Sequence, residues 1–306
     1  MEVFDLKTMQ KTDIIENTIV ALGTFDGCHY AHQKVLSEAF YMAKAKGCKS
    51  LVYTFYQSPK SRIDKNVGNV FTFEEKVKAF KKAGLDYLAV DSFLDVKEMS
   101  ADEFFEKVLI NKLKAVGASC GYNYKFGRQR GGDATFLSTL FLEKVGGSVK
   151  ICDKIEIGGQ TVSSTLLRAL IEKGNVEELY TLGTRYSVYS KVEEGKKLGR
   201  HLGFPTINQK IPQEKIIPRK GVYITECEIG EDVYPAISNV GVRPSVEEDS
   251  EINIETHIIG YKGILYGSYV RVNFYKFLRE ERKFDSLDEL KNQISNDTEN
   301  AKEYFK

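Results

Sequence analysis

The stretch TIVALGTFDGCHYAHQKVLSEAFYMAKAKGCKSLVYTF, residues 18 to 55, decides the fold of the N-terminal part of the chain. It begins with an apolar run at residues 18–22 and ends with another at residues 50–55, as expected for two buried strands. Between them a helix is predicted from about Ala31 to Lys46, because its apolar side chains recur on one face and a glycine follows it. This order is typical of a parallel sheet covered by helices, whose ligands bind at the carboxyl ends of the strands.

The same alternation continues along the chain. Capping boxes at residues 72–75 and 100–103 each open a further amphipathic segment, and the runs at residues 85–90 and 113–120 indicate more buried strands. The sequence therefore predicts an α/β domain with a parallel sheet.

After Gly183 the pattern changes to short segments rich in valine, isoleucine and tyrosine, joined by glycine turns. This pattern favours an antiparallel sheet, most simply a barrel. A capping box at Ser286 opens a closing helix. We predict two domains, residues 1–183 and residues 184–306.

The composition excludes several function classes. With 44 basic and 43 acidic residues the chain has no overall field to attract nucleic acid or a membrane surface, and no obligate protein partner is implied. The five cysteines form no CxxC pair, which argues against a disulfide framework and a structural zinc cluster. No run of about 18 apolar residues occurs. We expect a cytoplasmic protein that binds small molecules.

The turn GTFDGCHYAHQ, residues 23–33, predicts an anion site. Its two glycines let the backbone approach a ligand, and the helix that follows directs free N–H groups towards it. His29 and His32 are three residues apart, so both imidazoles can donate hydrogen bonds to one phosphate, as adenylyl transfer requires. Two other interpretations stay open: histidines bonded to local carbonyls at a capped helix start, and a metal site that includes Cys28.

The stretch GKKLGRHLGFPTIN, residues 195–208, is the strongest motif of the second half. Glycine amides can cradle a diphosphate, while the Thr206 hydroxyl and the Asn208 amide oxygen suit Mg²⁺. A plain glycine-rich β-turn remains possible. Glu255 falls on a predicted strand, where a lone glutamate most often faces water. The chain has no GxxxxGK[ST] motif, which excludes a P-loop kinase.

These motifs, with GYNYKFGRQRGGD at residues 121–133 and VSSTLLR at residues 162–168, resemble the prokaryotic bifunctional riboflavin kinase/FMN adenylyltransferases, or FAD synthetases. Without the resemblance, the first of these two segments reads as a solvated turn and the second as a helix N-cap. The resemblance covers residues 17–302 in the family's order. It implies a Rossmann-like nucleotidyltransferase domain followed by a six-stranded antiparallel barrel with a C-terminal helix.

The resemblance also assigns roles to residues. It makes Glu255 the catalytic base of the kinase, with His29 and His32 catalytic in adenylyl transfer and Thr206 and Asn208 at the metal. The nucleotide-binding residues that it implies are Gly23, Phe25, Asp26, Gly27, Ser163, Ser164, Thr165, Arg168, Gly195, Lys197, Gly199 and Arg200. The flavin-binding residues that it implies are Asn123, Tyr124, Phe126, Arg279 and Phe284.

The implied function is two-step synthesis of FAD. Riboflavin and MgATP give FMN and ADP in the second domain, and FMN and MgATP give FAD and pyrophosphate in the first. Ala31, Gln57 and Ser58 depart from the family's pattern, and all three lie in the adenylyltransferase half. The alternatives are therefore a monofunctional riboflavin kinase, or a non-catalytic flavin-binding regulator that kept the fold.

Overall fold

The computed structural model describes residues 1–9, 13–14, 16–59, 64, 67–195, 203–242 and 252–306. By its internal contacts the chain divides into two compact units, Met1–Leu166 and Leu167–Lys306. This division lies upstream of the domain boundary predicted after residue 183, which stays a prediction.

The first unit is built on a parallel sheet. Its strands are β1 (Glu2–Asp5), β2 (Thr18–Leu22), β3 (Lys49–Phe55), β4 (Tyr87–Asp91), β5 (Ala115–Gly121), β6 (Lys125–Phe126), β7 (Gly132–Asp133), β8 (Ser148–Cys152), β9 (Glu156–Ile157) and β10 (Gln160–Thr161). Six of them form the sheet in the order β1-β4-β3-β2-β5-β8, and every neighbouring pair is parallel. The four remaining strands form two small hairpins, β6–β7 and β9–β10.

Helices connect these strands. They are α1 (Tyr30–Lys46), α2 (Phe73–Lys82), α3 (Phe93–Val96), α4 (Ala101–Glu103, continued by a π-helix at Phe104–Lys112), a 3₁₀ turn (Arg128–Arg130), α5 (Ala134–Val145) and α6 (Ser164–Lys173). Helix α1 confirms the predicted segment, and Gly47 ends it in the left-handed conformation with φ 64°. Both predicted capping boxes are present, at Thr72 with Glu75 and at Ser100 with Glu103.

The core of this unit lies on both faces of the sheet. Ile19 and Ala21 of β2 pack on one side with Leu36 of α1, whereas Val20 and Leu22 pack on the other side with residues such as Phe105. All five residues of β2 are buried, which is why this strand reads as a continuous apolar run rather than an alternating one.

The second unit is a closed barrel. Its elements are α7 (Glu178–Thr181), β11 (Ser187–Glu193), β12 (Thr206–Lys210), β13 (Gly221–Ile229), β14 (Asp232–Val242), β15 (Ile252–Ile258), β16 (Tyr269–Arg279) and α8 (Leu287–Tyr304). The barrel order is β11-β12-β15-β14-β13-β16, and all neighbouring strands are antiparallel. Together with α8, this confirms the predicted fold class.

Hydrogen-bonded hydroxyls line part of the barrel interior. Ser238 Oγ lies 2.8 Å from Thr225 Oγ1 and 2.7 Å from Thr256 Oγ1, and all three side chains are fully buried. Helix α8 covers the outside of β13 and β14, where Ala301 packs against Ile224 and Ile237. Because the interior of the barrel is filled by side chains, we place its functional surface on the outer face.

Among the described residues, no helix is long and apolar enough to span a lipid bilayer.

Candidate active sites

The first site lies at the carboxyl end of β2. Strand β2 is hydrogen-bonded to β3 on one side and to β5 on the other, and the chain reaches these neighbours by separate connections. The loops that follow β2 and β5 therefore diverge, and this creates the crevice where open α/β sheets bind ligands. The predicted turn at residues 23–29 and the loop that begins at residue 121 both start at this position.

The turn after β2 has an unusual backbone. Phe25 has φ 51°, Gly27 φ 83° and Cys28 φ 39°, so three of four consecutive residues are in the left-handed region. Two of them carry a Cβ, and such strain is concentrated at functional sites. The Phe25 ring packs edge-on against His32, 5.4 Å away, and a Cβ at Gly23 would lie 3.0 Å from that ring. The turn thus fixes one histidine through an aromatic contact.

The two histidines stack on each other. Their ring centroids are 3.8 Å apart with an interplanar angle of 16°, and His29 is 3% exposed. The buried Nδ1 and Nε2 of His29 and Nδ1 of His32 have no hydrogen-bond partner in the described part of the chain. This is evidence against histidines that are satisfied by local carbonyls.

Both imidazoles are neutral near pH 7 in the free protein. Burial lowers the pKa of His29 to about 4, and burial together with His29 and Lys76 holds the pKa of His32 well below its usual value. A neutral imidazole keeps one N–H donor, so each ring can still donate to a phosphate oxygen.

A metal site at this turn is not supported. Burial raises the pKa of the Cys28 thiol to about 12, so it stays protonated at neutral pH. No group of three or more histidine, cysteine, aspartate or glutamate side chains is placed to hold a metal ion within the described ranges.

Two helices begin beside this turn. No side chain caps α1 at His29, and its first turn contains no acidic residue, so its N-terminus is open to an anion. The Ser164 hydroxyl, at the start of α6, donates to the backbone oxygen of Asp26 at 2.7 Å. Ser163 caps α6 by accepting from the Leu166 N–H at 3.3 Å. The sequence-predicted residues of both segments are therefore brought together here.

The remaining predicted residues of the first site differ in their positions and contacts. The Asp26 carboxylate accepts from the Phe71 N–H at 2.9 Å, so it holds the turn in place. Thr165 lies in the first turn of α6, and Arg168 lies one turn further on and is 8% exposed. Ala31 has a helical backbone in α1 and needs no glycine conformation.

Three aromatic rings form a series here, Tyr124 in the loop after β5, Phe126 in β6 and Phe136 in α5. Tyr124 stacks on Phe126 with centroids 5.7 Å apart, and Phe126 stacks on Phe136 at 6.5 Å, both pairs with interplanar angles of 17°. Asn123 and Phe136 are exposed, whereas Phe126 is 7% exposed and belongs to the core. Phe126 therefore supports Tyr124, which packs against the core, and Asn123 and Tyr122 are the exposed groups of this loop.

Sequence reasoning missed Lys76. This side chain of α2 is fully buried, and its Nζ donates to the Phe55 carbonyl oxygen at the end of β3, 3.3 Å away. Its charge contributes to the low pKa of His32. The sequence contains one signal for it, since Lys76 shares a helix face with the buried Phe80 four residues later.

The second site is a row of side chains across the outer face of the barrel. Asn208 of β12 lies directly opposite Glu255 of β15, and Glu255 lies directly opposite Asn239 of β14. Directly opposite residues point to the same face with Cβ atoms about 5 Å apart. Thr206 is two residues from Asn208 on the same strand, so it shares this face. The predicted base and the two predicted metal ligands are therefore neighbours.

Asn208 is held with an available oxygen. It is 6% exposed, and its Oδ1 is buried with no partner among the described residues. A Cβ at Gly195 would lie 2.2 Å from Asn208 Nδ2, so the backbone at Gly195 lies directly against this amide. Glu255 is exposed. An exposed carboxylate beside an unpartnered amide oxygen can receive both a proton and a cationic ligand.

His257 has a structural role. Its Nδ1 lies 2.9 Å from the Pro205 carbonyl oxygen, and its ring packs edge-on against Phe204. Burial lowers its pKa. It thereby fixes the chain immediately before Thr206.

The predicted flavin residue Arg279 is engaged elsewhere. Its guanidinium donates to both carboxylate oxygens of the buried Asp297 in α8. Nη2 and Nε donate to Oδ2 at 2.8 and 3.0 Å, and Nε also donates to Oδ1 at 3.3 Å. The guanidinium also lies 5.9 Å from the Phe284 ring, in the connection that leads to α8. Arg279 therefore anchors α8 to β16, and the flavin contacts of Arg279 and Phe284 stay predictions.

An apolar cleft opens beside Thr206. It is lined by Val192, Pro205, Thr206, Ile207, Ile258, Tyr261, Gly263, Ile264, Leu265 and Tyr266. The predicted nucleotide ligands Lys197, Gly199 and Arg200 lie outside the described residues.

Fold and sites together define a two-domain, ATP-dependent transferase. Residues 11–166 match the family described as FAD synthetase, and residues 182–305 match the family described as riboflavin kinase. The bifunctional riboflavin kinase/FMN adenylyltransferase of Listeria monocytogenes is 30% identical over 98% of this chain and 96% of its own length. The enzymes of the same name from Bacillus subtilis and Escherichia coli K12 are also 30% identical, over 94% and 95% of this chain and 92% and 93% of their own lengths.

The chain belongs to the bifunctional riboflavin kinase/FMN adenylyltransferase family and carries both of its catalytic domains. The predicted family and the predicted pair of activities are confirmed. A crystal structure described as a macrolide-efflux protein from Streptococcus pneumoniae has the same architecture, with a TM-score of 0.88 and 28% identity over 98% of both chains.

Proposed function

We propose that the row on the barrel phosphorylates riboflavin and that the histidine-bearing turn adenylylates FMN. For the first reaction the proposal depends on the strand register that sets Glu255 opposite Asn208. For the second it depends on the stacked histidine pair with three unpartnered ring nitrogens.

In the kinase step the nucleophile is a hydroxyl group. A hydroxyl needs a base to remove its proton as the new bond to phosphorus forms, and Glu255 is the carboxylate beside the proposed ATP site. Its oxygen accepts the proton of the riboflavin 5′-hydroxyl while that oxygen attacks the γ-phosphorus of ATP, and ADP leaves. The absence of a side chain at Gly195 lets its backbone lie against Asn208, and a glycine amide at this position would be accessible to the phosphates.

Mg²⁺ fits the second site. The Thr206 hydroxyl and the buried, unpartnered Asn208 Oδ1 are hard oxygen donors, and Mg²⁺ usually takes few protein oxygens and completes its shell with water and phosphate. When bound, the ion neutralises charge on the transferring phosphates. Asn208 and Thr206 would hold it, and Gly195 keeps the Asn208 amide in place by packing against it.

In the adenylyl step the nucleophile is the FMN phosphate. This group is already ionised at neutral pH, so the site requires no base, in agreement with histidines of lowered pKa. The FMN oxygen attacks the α-phosphorus of ATP and pyrophosphate leaves. The two imidazole N–H groups and the open N-terminus of α1 donate to the oxygens on which charge increases.

One assay tests both proposed activities. Purified protein receives either riboflavin or FMN with MgATP, and FMN, FAD and pyrophosphate are quantified by chromatography and a coupled assay. We expect FMN and FAD from the first mixture, and FAD with equimolar pyrophosphate from the second. FMN without FAD would show that adenylylation is lost, as in a kinase-only protein. If neither mixture gave a product, the protein would be interpreted as a non-catalytic flavin-binding regulator.

A further inference from the structure

The barrel face around Glu255 carries two asparagines that the motifs do not include. Asn239 lies directly opposite Glu255 on β14, and Asn253 lies two residues before it on β15. Both side chains therefore share the face of Glu255 and Asn208, Asn239 at about 5 Å and Asn253 at about 7 Å along the strand.

Each of these asparagines has an acceptor oxygen without a donor. Oδ1 of Asn239 and Oδ1 of Asn253 are buried and have no hydrogen-bond partner in the part of the chain that the structure describes. Asn253 as a whole is 5% exposed. A buried carbonyl without a donor destabilises the free protein, so such a pair next to a reactive carboxylate indicates a ligand that supplies donors.

The orientation of the Asn239 amide is fixed by chemistry. Its Nδ2 donates to Glu281 Oε1 at 2.9 Å, and a carboxylate can only accept, so Oδ1 must be directed away from Glu281. The carboxylate fits over the strand because Gly241 has no side chain, and a Cβ there would contact Glu281. Asn239 Oδ1 is therefore held in a fixed orientation in which it can accept a hydrogen bond from a ligand.

We propose that Asn239 and Asn253 accept hydrogen bonds from the hydroxyls of the polyol chain of riboflavin and so select a hydroxylated side chain. This inference rests on the proposed kinase function, which brings the terminal hydroxyl of that chain to Glu255. The other hydroxyls then follow along the same face, within reach of the two oxygens. Neutral amide acceptors match neutral hydroxyl donors, while the metal has its own oxygens at Thr206 and Asn208.

The test compares two substrates and three variants. Asn239→Ala and Asn253→Ala remove one acceptor each, and Asn292→Ala on the exposed surface of α8 is the matched control. The substrates are riboflavin and a flavin whose side chain is an unbranched 5-hydroxypentyl group, which keeps only the reacting hydroxyl. Binding is measured by flavin fluorescence quenching without ATP, and turnover by formation of the phosphorylated product.

We expect each active-face variant to raise the Kd and KM for riboflavin by about tenfold, the effect of one hydrogen bond, with kcat within about twofold. For the hydroxypentyl flavin the same variants should match the wild type. The Tm of free Asn239→Ala should fall slightly, because this change also removes the Nδ2 donor to Glu281 Oε1, and the hydroxypentyl flavin controls for that loss.

Equal losses for both substrates would overturn the proposal, since the asparagines would then act on something other than the internal hydroxyls. A higher Mg²⁺ requirement at unchanged riboflavin affinity would also overturn it and indicate a cation site. Wild-type protein that forms no FMN contradicts the proposed kinase function itself, and the binding comparison still decides whether the asparagines recognise the polyol.

Discussion

The two active sites place their polar groups by different means. At the turn after β2 the polar groups are placed by the backbone conformation, which includes left-handed residues at positions 25, 27 and 28 and leads into the helix that begins at residue 30. On the barrel the polar groups are placed by the strand register, which sets Asn208, Glu255 and Asn239 opposite one another on three neighbouring strands. The first site therefore depends on local conformation, and the second depends on strand pairing.

The chemistry differs in the same sense. In the proposed mechanisms the barrel site offers a carboxylate to a hydroxyl that must lose a proton, whereas the turn offers neutral N–H donors to a phosphate that has none to lose. A change to a titratable group at one site should therefore leave the other reaction intact.

The largest effect is expected for Glu255→Gln. FMN formation from riboflavin should fall by about 10³-fold, in the range for loss of a general base, because the amide cannot take up the proton. FAD formation from supplied FMN should stay within about twofold of the wild type. Both rates are measured by chromatography, with Glu303→Gln on the exposed surface of α8 as the control. Retention of a tenth of the kinase rate would show that Glu255 is not the base.

Next in size are His29→Leu and His32→Leu. Each removes an N–H donor, and adenylyl transfer should fall by about 10²-fold, the usual effect of losing one transition-state donor. The kinase rate should not change. Pyrophosphate release from FMN and MgATP gives the measurement. If either variant loses riboflavin phosphorylation to the same extent, the two sites are not independent.

A smaller effect concerns stability in acid. The pKa of His29 is lowered from 6.5 to about 4, so the unfolded chain binds a proton that the folded protein excludes between these values. Stability is therefore complete above pH 6.5 and falls as the pH decreases towards 4. This residue alone should cost about 2 kcal/mol between pH 7 and pH 5.

In His29→Leu, the part of the acid-induced decrease in stability that comes from His29 should disappear. Urea unfolding followed by far-ultraviolet circular dichroism at pH 7 and pH 5 measures it, and Glu255→Gln provides the comparison at the other site. An identical acid loss in wild type and His29→Leu would mean that His29 is not buried as a neutral group.

The smallest effect is expected for Ala31→Gly, which restores the family's residue. Ala31 already has helical backbone geometry, so the change should alter the adenylylation rate by less than about threefold and lower the free energy of unfolding by up to about 1 kcal/mol. Steady-state kinetics with FMN and urea unfolding check this. A tenfold gain in rate would show that the methyl group obstructs the nucleotide.

Much of the fold follows from periodicity in the sequence. The predicted strand at residues 18–22 is β2, and the predicted helix differs from α1 by one residue at its start. The edge strand β1 was missed because its four residues carry two charges. The register between β13 and β16 shifts twice, after Val222 and after Ile224, and the extra residue lies in β16 each time, so the inward and outward alternation is interrupted in β16.

The candidate sites were less predictable than the fold. Motifs located Glu255 and both histidines, but the burial that makes the histidines neutral depends on tertiary packing, including Lys76 from a different helix. The same holds for Arg279, which the resemblance places at the flavin and whose ion pair with Asp297 of α8 is visible only in the structure. Asn239 and Asn253 carry no motif: the pairing of β14 with β15 brings Asn239 to Glu255, and Asn253 precedes Glu255 by two residues on the same strand.

The way the barrel closes sets the order in which the protein can mature during synthesis. The last strand of the parallel sheet, β8, ends at Cys152, so the parallel sheet of the first unit is complete while the second half is still being translated. The kinase barrel closes through Ser187 paired with Asn273, its earliest strand against its latest. A ribosome stalled before β16 would therefore carry a unit with a complete sheet ahead of an unclosed barrel whose strand edges are exposed to a chaperone or a neighbouring chain.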